Sequence, residues 1–387
     1  MLPTAALPRF RKNLLTWFAH SQRDLPWRRS KDPYRIWLSE IMLQQTRVAA
    51  AIPYYERFLA NFPTIQSLAC APQQDVLRFW SGLGYYSRAR NLQSAAQLIV
   101  ARHNSTFPED HRAVLALPGI GKYTSAAILS IAYDQKLAVL DGNVARVIAR
   151  LLAIRGDLRA SNRWQGLQTV AGKLLTPNSP GDWNQAMMEL GAIVCTPRSP
   201  QCLLCPVNQF CQARKQGLIE VIPEKRKKRP TLEITLACII FRDPQGRTLL
   251  LQPAKKSSEI AKPNNIPALL SHLWHFPTIQ VHSQVRPNQG AQSRQHSITV
   301  NDAITQLCRH LESLLKTRRS ILELTPLKKI SHTVTFRKIT LLPFLAKVRK
   351  LPNLPHIKSK ALPLSNLSSL PISNLTRKAG SSLPPLV

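Results

Sequence analysis

Acidic residues are what this sequence most lacks. Its 20 Asp and Glu stand against 53 Lys and Arg, a formal charge of +33 at pH 7. Beyond Glu323 there is no acid at all, while eleven Lys and Arg follow it. That half is no neutral scaffold, and polyanions are the expected partners of the chain. Cysteine is scarce too. The total of seven is odd, and Cys70, Cys238 and Cys308 are scattered, which excludes a disulfide framework and favours a reducing compartment. No stretch reaches the ~18 apolar residues of a membrane span, and no long apolar run follows the N-terminal charges. Neither a spanning helix nor a signal peptide is expected, so the chain reads as soluble and cytosolic. Its 387 residues suffice for two or three domains with real cores.

The other four cysteines fall together. Cys195, Cys202, Cys205 and Cys211 are spaced C-x6-C-x2-C-x5-C. Four thiols that close imply a metal centre. Zinc prefers two paired knuckles, and only one close pair is present. A cubane iron–sulfur cluster takes one cysteine per iron and suits uneven spacing better.

Residues 117–146 organise the rest. Leu117-Pro118-Gly119-Ile120-Gly121 follows a short apolar helix pattern and precedes a second helix from Tyr123. Pro118 resists helix continuation, and Gly119 and Gly121 permit backbone angles that other residues avoid. A glycine hairpin with free N–H groups at a helix start suits a phosphate, and Lys122 adds charge. A plain helix-to-helix turn is the alternative. Asp141 opens a further helix and is first of all an N-cap. Glu40 changes its weight. In the helical stretch Tyr34–Ala51, Ile36, Trp37 and Leu43 share the face of Glu40. A carboxylate on an apolar stripe is raised in pKa, as a general acid near neutral pH requires; a structural Glu at a helix junction is the other reading.

Two loops offer aromatics beside cations. Trp27 stands by Arg28 and Arg29, and Gly82-Leu83-Gly84 precedes Tyr85, Tyr86 and Arg88. Each could stack on or wedge between bases, or simply close the core. Helices are expected at 144–154, 164–175 and 183–194, a basic linker at 220–230, and then a small α+β domain over 231–387. Within it, strands at 233–241 and 248–252 flank the turn Asp243-Pro244-Gln245-Gly246, helix 302–316 is amphipathic, and strands are expected at 329–337 and 339–347. The Pro-, Ser- and Leu-rich end shows no period, and its last residues are expected to be mobile.

These segments together resemble the adenine DNA glycosylases of the helix–hairpin–helix superfamily, which remove adenine mispaired with 8-oxoguanine. The resemblance is carried by LPWR (25–28), SEIMLQQT (39–46), GLGYYSR (82–88), LPGIGKYT (117–124), LDGNVARV (140–147) and the four cysteines. It is dense from 9 to 215 and fades after 230, where VIPEKRKKRP and LWHFP (273–277) resemble the connector and first strands of a Nudix-like domain. It implies a multidomain chain. An all-α helix–hairpin–helix domain would span 1–219, with a six-helix subdomain over about 30–135 and an iron–sulfur subdomain formed by residues 1–29 and 136–215. The α+β Nudix-like domain would follow.

The resemblance also implies roles. Glu40 would protonate the extruded adenine, and Asp141 would stabilise the oxocarbenium-like sugar, with Tyr123 and Asn143 orienting both. Gln45 and Tyr85 would fill or wedge the base stack, and Thr46 would also contact DNA; Arg23, Leu25, Trp27 and Arg28 would line the base pocket; Gly119, Gly121 and Lys122 would hold the backbone. Cys195, Cys202, Cys205 and Cys211 would carry a [4Fe-4S] cluster bracing a basic loop with Arg198 and Lys215. The partner would be double-stranded DNA with A:8-oxoguanine or A:G mismatches, met by a monomer. The endonuclease III type has a lysine nucleophile where this chain has Tyr123 and no carboxylate at the position of Glu40, so no Schiff base and no strong strand cleavage are expected. The departures lie in the second half. The family's Phe-Ser-His lesion-reading loop matches His332-Thr333-Val334-Thr335-Phe336, where Thr335 keeps a hydroxyl and the following His is absent. The Glu-rich helix of true Nudix hydrolases is missing from 302–316, so no pyrophosphatase activity is expected. A DNA-binding scaffold without chemistry is the remaining alternative.

Overall fold

The computed structural model describes residues 3–224, 230–252, 273–286, 299–315, 323–354 and 357–384. It divides into two compact units, Met1–Val76 with Tyr85–Lys227, and Leu77–Gly84 with Lys228–Val387.

The first unit is all helical. In chain order it contains α1 (Leu7–Ser21), α2 (Pro33–Leu43), α3 (Val48–Asn61) and α4 (Ile65–Cys70); α5 (Gln73–Trp80) crosses from it into the second unit. Then come α6 (Ser87–Arg102), α7 (His111–Leu115), α8 (Lys122–Tyr133), α9 (Gly142–Leu151), α10 (Ser161–Leu174), α11 (Pro180–Glu189) and the short α12 (Gln212–Lys215). Side-chain caps fix several starts: Asp32 on α2, Thr64 with Ser67 as a capping box on α4, Asp110 on α7 and Asp141 on α9. Helix α8 ends at Asp134, whose φ of 54° breaks the helical run. One core gathers Phe10, Leu14 and Phe18 of α1 against Val144, Val147, Ile148 and Leu151 of α9 and Trp183 and Met187 of α11. Ile222, placed by the sequence in the linker, is fully buried in that core, and its carbonyl accepts from Arg150 Nε at 2.7 Å. The more basic portion of the linker, 225–229, lies outside the described residues.

Between α7 and α8 the hairpin is built as expected, with a difference between its glycines. Gly119 stands at φ 80°, and a Cβ there would come within 2.8 Å of Asn91 Cβ. Gly121 has ordinary extended backbone at φ −104° and open space around it. Only Gly119 needs to be glycine on these grounds.

The second unit is α+β. Strand β1 (Thr231–Arg242) is central, parallel to β6 (Arg337–Lys347) and antiparallel to β3 (Thr278–Arg286). Strands β4 (Leu324–Pro326) and β5 (Ile330–Val334) both pair antiparallel with β6, and β2 (Arg247–Gln252) pairs with β7 (Lys358–Pro363) in a separate ribbon. So β1 and β2 flank the turn Asp243–Gly246 yet form no ladder with each other. Alternate residues of β1 serve opposite faces. Ala237, Ile239 and Phe241 meet Ala303, Leu307 and Leu311 of α13 (Val300–Leu315), while Ile234, Leu236, Cys238 and Ile240 meet Leu367, Leu370, Leu375 and Ala379. The last two belong to α14 (Asn374–Gly380). The chain end therefore supplies much of one side of this core, together with Trp274 and Phe276, although its sequence shows no period. The mobility expected of the last residues concerns 385–387, outside the described residues. Among the described residues no helix is long and apolar enough to cross a membrane.

Candidate active site

Helix α2 is the floor of the site. Asp32 accepts from the Tyr34 N–H and Pro33 occupies the first turn, so the helix starts sharply and its residues from Ile36 to Met42 are buried. Glu40 lies among them, 8% exposed. Burial drives its carboxyl up to about 7; a hydrogen bond from Tyr123 pulls it down, the charge of Asp141 pushes it up and Arg28 pulls it down. The Tyr123 hydroxyl also lies 3.2 Å from Met188 Sδ, but a carboxylate is the stronger acceptor.

Asp141 is both cap and charge. Its Oδ1 accepts from the Val144 N–H at 2.7 Å. Burial raises its carboxyl, and the N–H groups of Val144 and Asn143 oppose that rise. The start of α9 favours an anion for the same reason that it favours a cap. Asn143 Oδ1 accepts from Arg146 Nη2 at 2.9 Å, and the same guanidinium donates to the Gly191 carbonyl at 2.8 Å and the Cys195 carbonyl at 2.9 Å. Helix α11 runs on as a π-helical turn, Leu190–Val194. Within it, Gly191 is so close to α9 that a Cβ would come within 2.7 Å of Asn143 Cβ.

Glu40, Asp141, Tyr123, Asn143, Arg23, Leu25, Trp27, Arg28, Gln45 and Thr46 line one cavity of about 350 Å³, a size suited to a small ligand. Sequence reasoning missed the wall that α11 supplies, Gln185, Met188 and Glu189. Glu189 is almost wholly buried and accepts from Arg23 Nε and Nη2, each at 2.7 Å, and from Arg28 Nη2 at 2.9 Å. Burial would raise its carboxyl, but the bonds from Arg23 and Arg28 outweigh it and hold it down at about 2. The signal was available: Glu189 follows Trp183, Ala186 and Met187 on a buried helix, as Glu40 follows Ile36 and Trp37. Tyr85, Gly119, Gly121, Lys122 and Thr335 are not in the lining. Tyr85 and Lys122 are exposed, and Thr335 stands in the exposed β5–β6 turn at φ 55°.

The four cysteines line a second, small cavity with Arg214, Asn208 and Pro200. None is in a disulfide. Burial raises the Cys205 thiol to about 12, and burial followed by the neighbouring cysteines raises Cys202 as well. Thiols buried side by side ionise together only where bound cations offset their charge. A zinc would need every sulfur about 2.3 Å from one point; a cluster spreads them, one per iron. The donor set fits the cluster. Arg150 Nη1 donates to Cys195 Sγ at 3.4 Å.

Residues 38–169 match the model of the HhH-GPD superfamily of base excision DNA repair proteins, and residues 195–211 match the iron–sulfur binding domain of endonuclease III. The adenine DNA glycosylase of Schizosaccharomyces pombe is 33% identical over 349 residues, covering 75% of this chain and 73% of that one. This chain belongs to the adenine DNA glycosylase family. The Rattus norvegicus adenine DNA glycosylase is 38% identical over 319 residues, which are 70% of this chain and 60% of the relative, so the chain spans about three fifths of that relative. A solved thermostable thymine-DNA glycosylase is similar with a TM-score of 0.50 and 29% identity, covering 55% of this chain and 99% of its own. As in its family, the helical unit is the helix–hairpin–helix domain, the cysteine loop is its [4Fe-4S] site, and the second unit is Nudix-like.

Proposed function

We propose that this adenine DNA glycosylase family member hydrolyses the N-glycosidic bond of adenine mispaired with 8-oxoguanine or guanine in duplex DNA, without cutting the strand. The observation that carries the reading is Glu40, a buried acid held near pH 7 inside a base-sized cavity that also holds Asp141. Adenine anion is a poor leaving group, so a proton must reach the base as the bond breaks. Glu40 gives that proton to the adenine, the C1′–N9 bond opens, and neutral adenine departs. Positive charge spreads over C1′ and the ring oxygen, facing Asp141. Water then adds to C1′ and its proton returns to Glu40. Glu40 holds its proton by burial, while the N–H groups of Val144 and Asn143 favour the charge on Asp141, which suits these two tasks.

Extrusion of the base costs a few kcal/mol of unstacking. The cavity, the charge of the chain and the Gly119 hairpin with Lys122 offset it. Among the described residues no lysine lines the cavity: Tyr123 does and Lys122 does not. The cluster braces the loop that presents Arg198 and Lys215 to DNA. The protein acts as a monomer in the cytosol on nucleoid DNA, and Thr335 in its exposed turn takes part in reading the lesion.

Single-turnover adenine release from a duplex with adenine opposite 8-oxoguanine, beside one opposite guanine, tests the reading. Fast release on the first and slow on the second is expected. Equal rates would remove the lesion-reading role of the Thr335 turn, and no release on either would leave a DNA-binding scaffold.

A further inference from the structure

Arg88 lies in the first turn of α6 and is 8% exposed. Its guanidinium turns back onto the end of α2. Nη1 donates to the carbonyls of Ile41 at 2.8 Å, Met42 at 3.0 Å and Gln44 at 2.5 Å, and Nη2 to the Thr46 hydroxyl at 3.4 Å. A helix leaves such carbonyls unpaired at its C-terminus, where its dipole favours a cation. Next to the last of these carbonyls stands Gln45 at φ 57°, and three residues before the arginine stands Tyr85 at φ 48°. Left-handed backbone is strained for a non-glycine residue, so the surroundings must hold both. Both side chains are exposed, and Arg88 Cζ lies 5.3 Å from the Tyr85 ring centroid. One buried cation thus meets the helix that carries Glu40, the turn that carries Gln45 and the ring of Tyr85.

We infer that Arg88 is a positioning residue that joins Gln45 and Tyr85 into a single wedge, kept in register with Glu40, so that opening the base stack and delivering the base to the cavity are one movement. The inference rests on the glycosylase reading above. Gln45 and Tyr85 reach the surface from turns about forty residues apart in sequence. Without the guanidinium, the end of α2 loses its cap and each left-handed turn can relax by itself.

Arg88→Met and Arg88→Lys are compared with the wild type on two substrates. One is a duplex with adenine opposite 8-oxoguanine; the other leaves the adenine unpaired opposite a gap. A 2-aminopurine beside the target reports unstacking. Both variants are expected to release adenine from the duplex roughly tenfold or more slowly and to lose the fluorescence rise, while release from the unpaired adenine stays within about threefold. The pH midpoint of release stays where it is. Slowing by the same factor on both substrates, or a moved midpoint, would make Arg88 a mere prop for the α2 helix and overturn the wedge. So would unchanged rates on both. Should Arg88→Met not fold, Arg88→Lys retains the cation, and a Tyr85→Ala background decides: a joined wedge makes the double variant no worse than Tyr85→Ala alone, whereas additive losses sink it. A wild type that unstacks the probe but releases no adenine would end the glycosylase reading while leaving the wedge in place.

Discussion

On the α2 wall of the cavity Glu40 is buried and its carboxyl is driven up to about 7; on the α11 wall Glu189 is buried too and is held at about 2. Burial pushes both upward. What separates them is cations: Arg23 and Arg28 both donate to Glu189, whereas Glu40 has a tyrosine hydroxyl close by and feels Arg28 only through its charge. One cavity thereby holds a proton on one side and a fixed negative charge on the other.

Removing the proton should have the largest effect. Glu40→Gln keeps the shape and removes the acid; adenine release in single turnover is expected to fall about 10²- to 10⁴-fold, with duplex affinity kept in a gel-shift titration. Breaking the other wall should show as stability. Glu189→Gln leaves Arg23 and Arg28 unpaired, and denaturant unfolding at pH 7 is expected to lose about 3 kcal/mol. Because the Glu189 carboxyl is depressed, its stabilisation is complete above the ordinary 4.5 and is lost as pH falls through about 2, so the two proteins should converge at acid pH. Titrating Glu40 itself comes next. Between 4.5 and about 7 the folded protein keeps a proton that the unfolded chain has lost. Release should therefore fall about tenfold per unit as pH rises beyond 7, and this group's contribution to stability should fall across the same 4.5–7 window. A rate flat to pH 9 would remove Glu40 as the acid. The smallest effect belongs to Tyr123→Phe. Losing the bond that lowers Glu40 should move that limb to higher pH and change the rate at pH 7 by only about threefold.

The two walls were not equally legible in the sequence. Glu40 showed because apolar residues flank it at helical spacing. Glu189 had similar neighbours, but its role is set by its partners. Its partners Arg23 and Arg28 lie more than 150 residues away, and no local pattern reports a pairing of that range. The same holds for Arg88, whose acceptors are chosen by how α6 lies on α2. The four cysteines were plain because metal chemistry writes its spacing directly into the chain. The C-terminal end was opaque for the opposite reason. Leu362, Leu367, Leu370, Ile372 and Leu375 enter the core from a strand, a 3-10 turn, an extended link and a helix in succession, so no single period runs through them. The turn Asp243–Gly246 suggested a hairpin, and β2 instead found β7, a partner more than one hundred residues on.

The π-helical turn Leu190–Val194 sets a phase between the two centres. Successive residues of an α-helix are rotated by about 100°, and a π turn absorbs one extra residue without ending the helix. Glu189 and Cys195 lie at its two ends. Deleting one residue between them would let the segment wind as a regular helix and would swing Cys195 about a quarter turn away from its three companions. The length of this segment is therefore fixed as a gear is fixed by its tooth count, and insertions or deletions there should be tolerated far less well than changes of residue type.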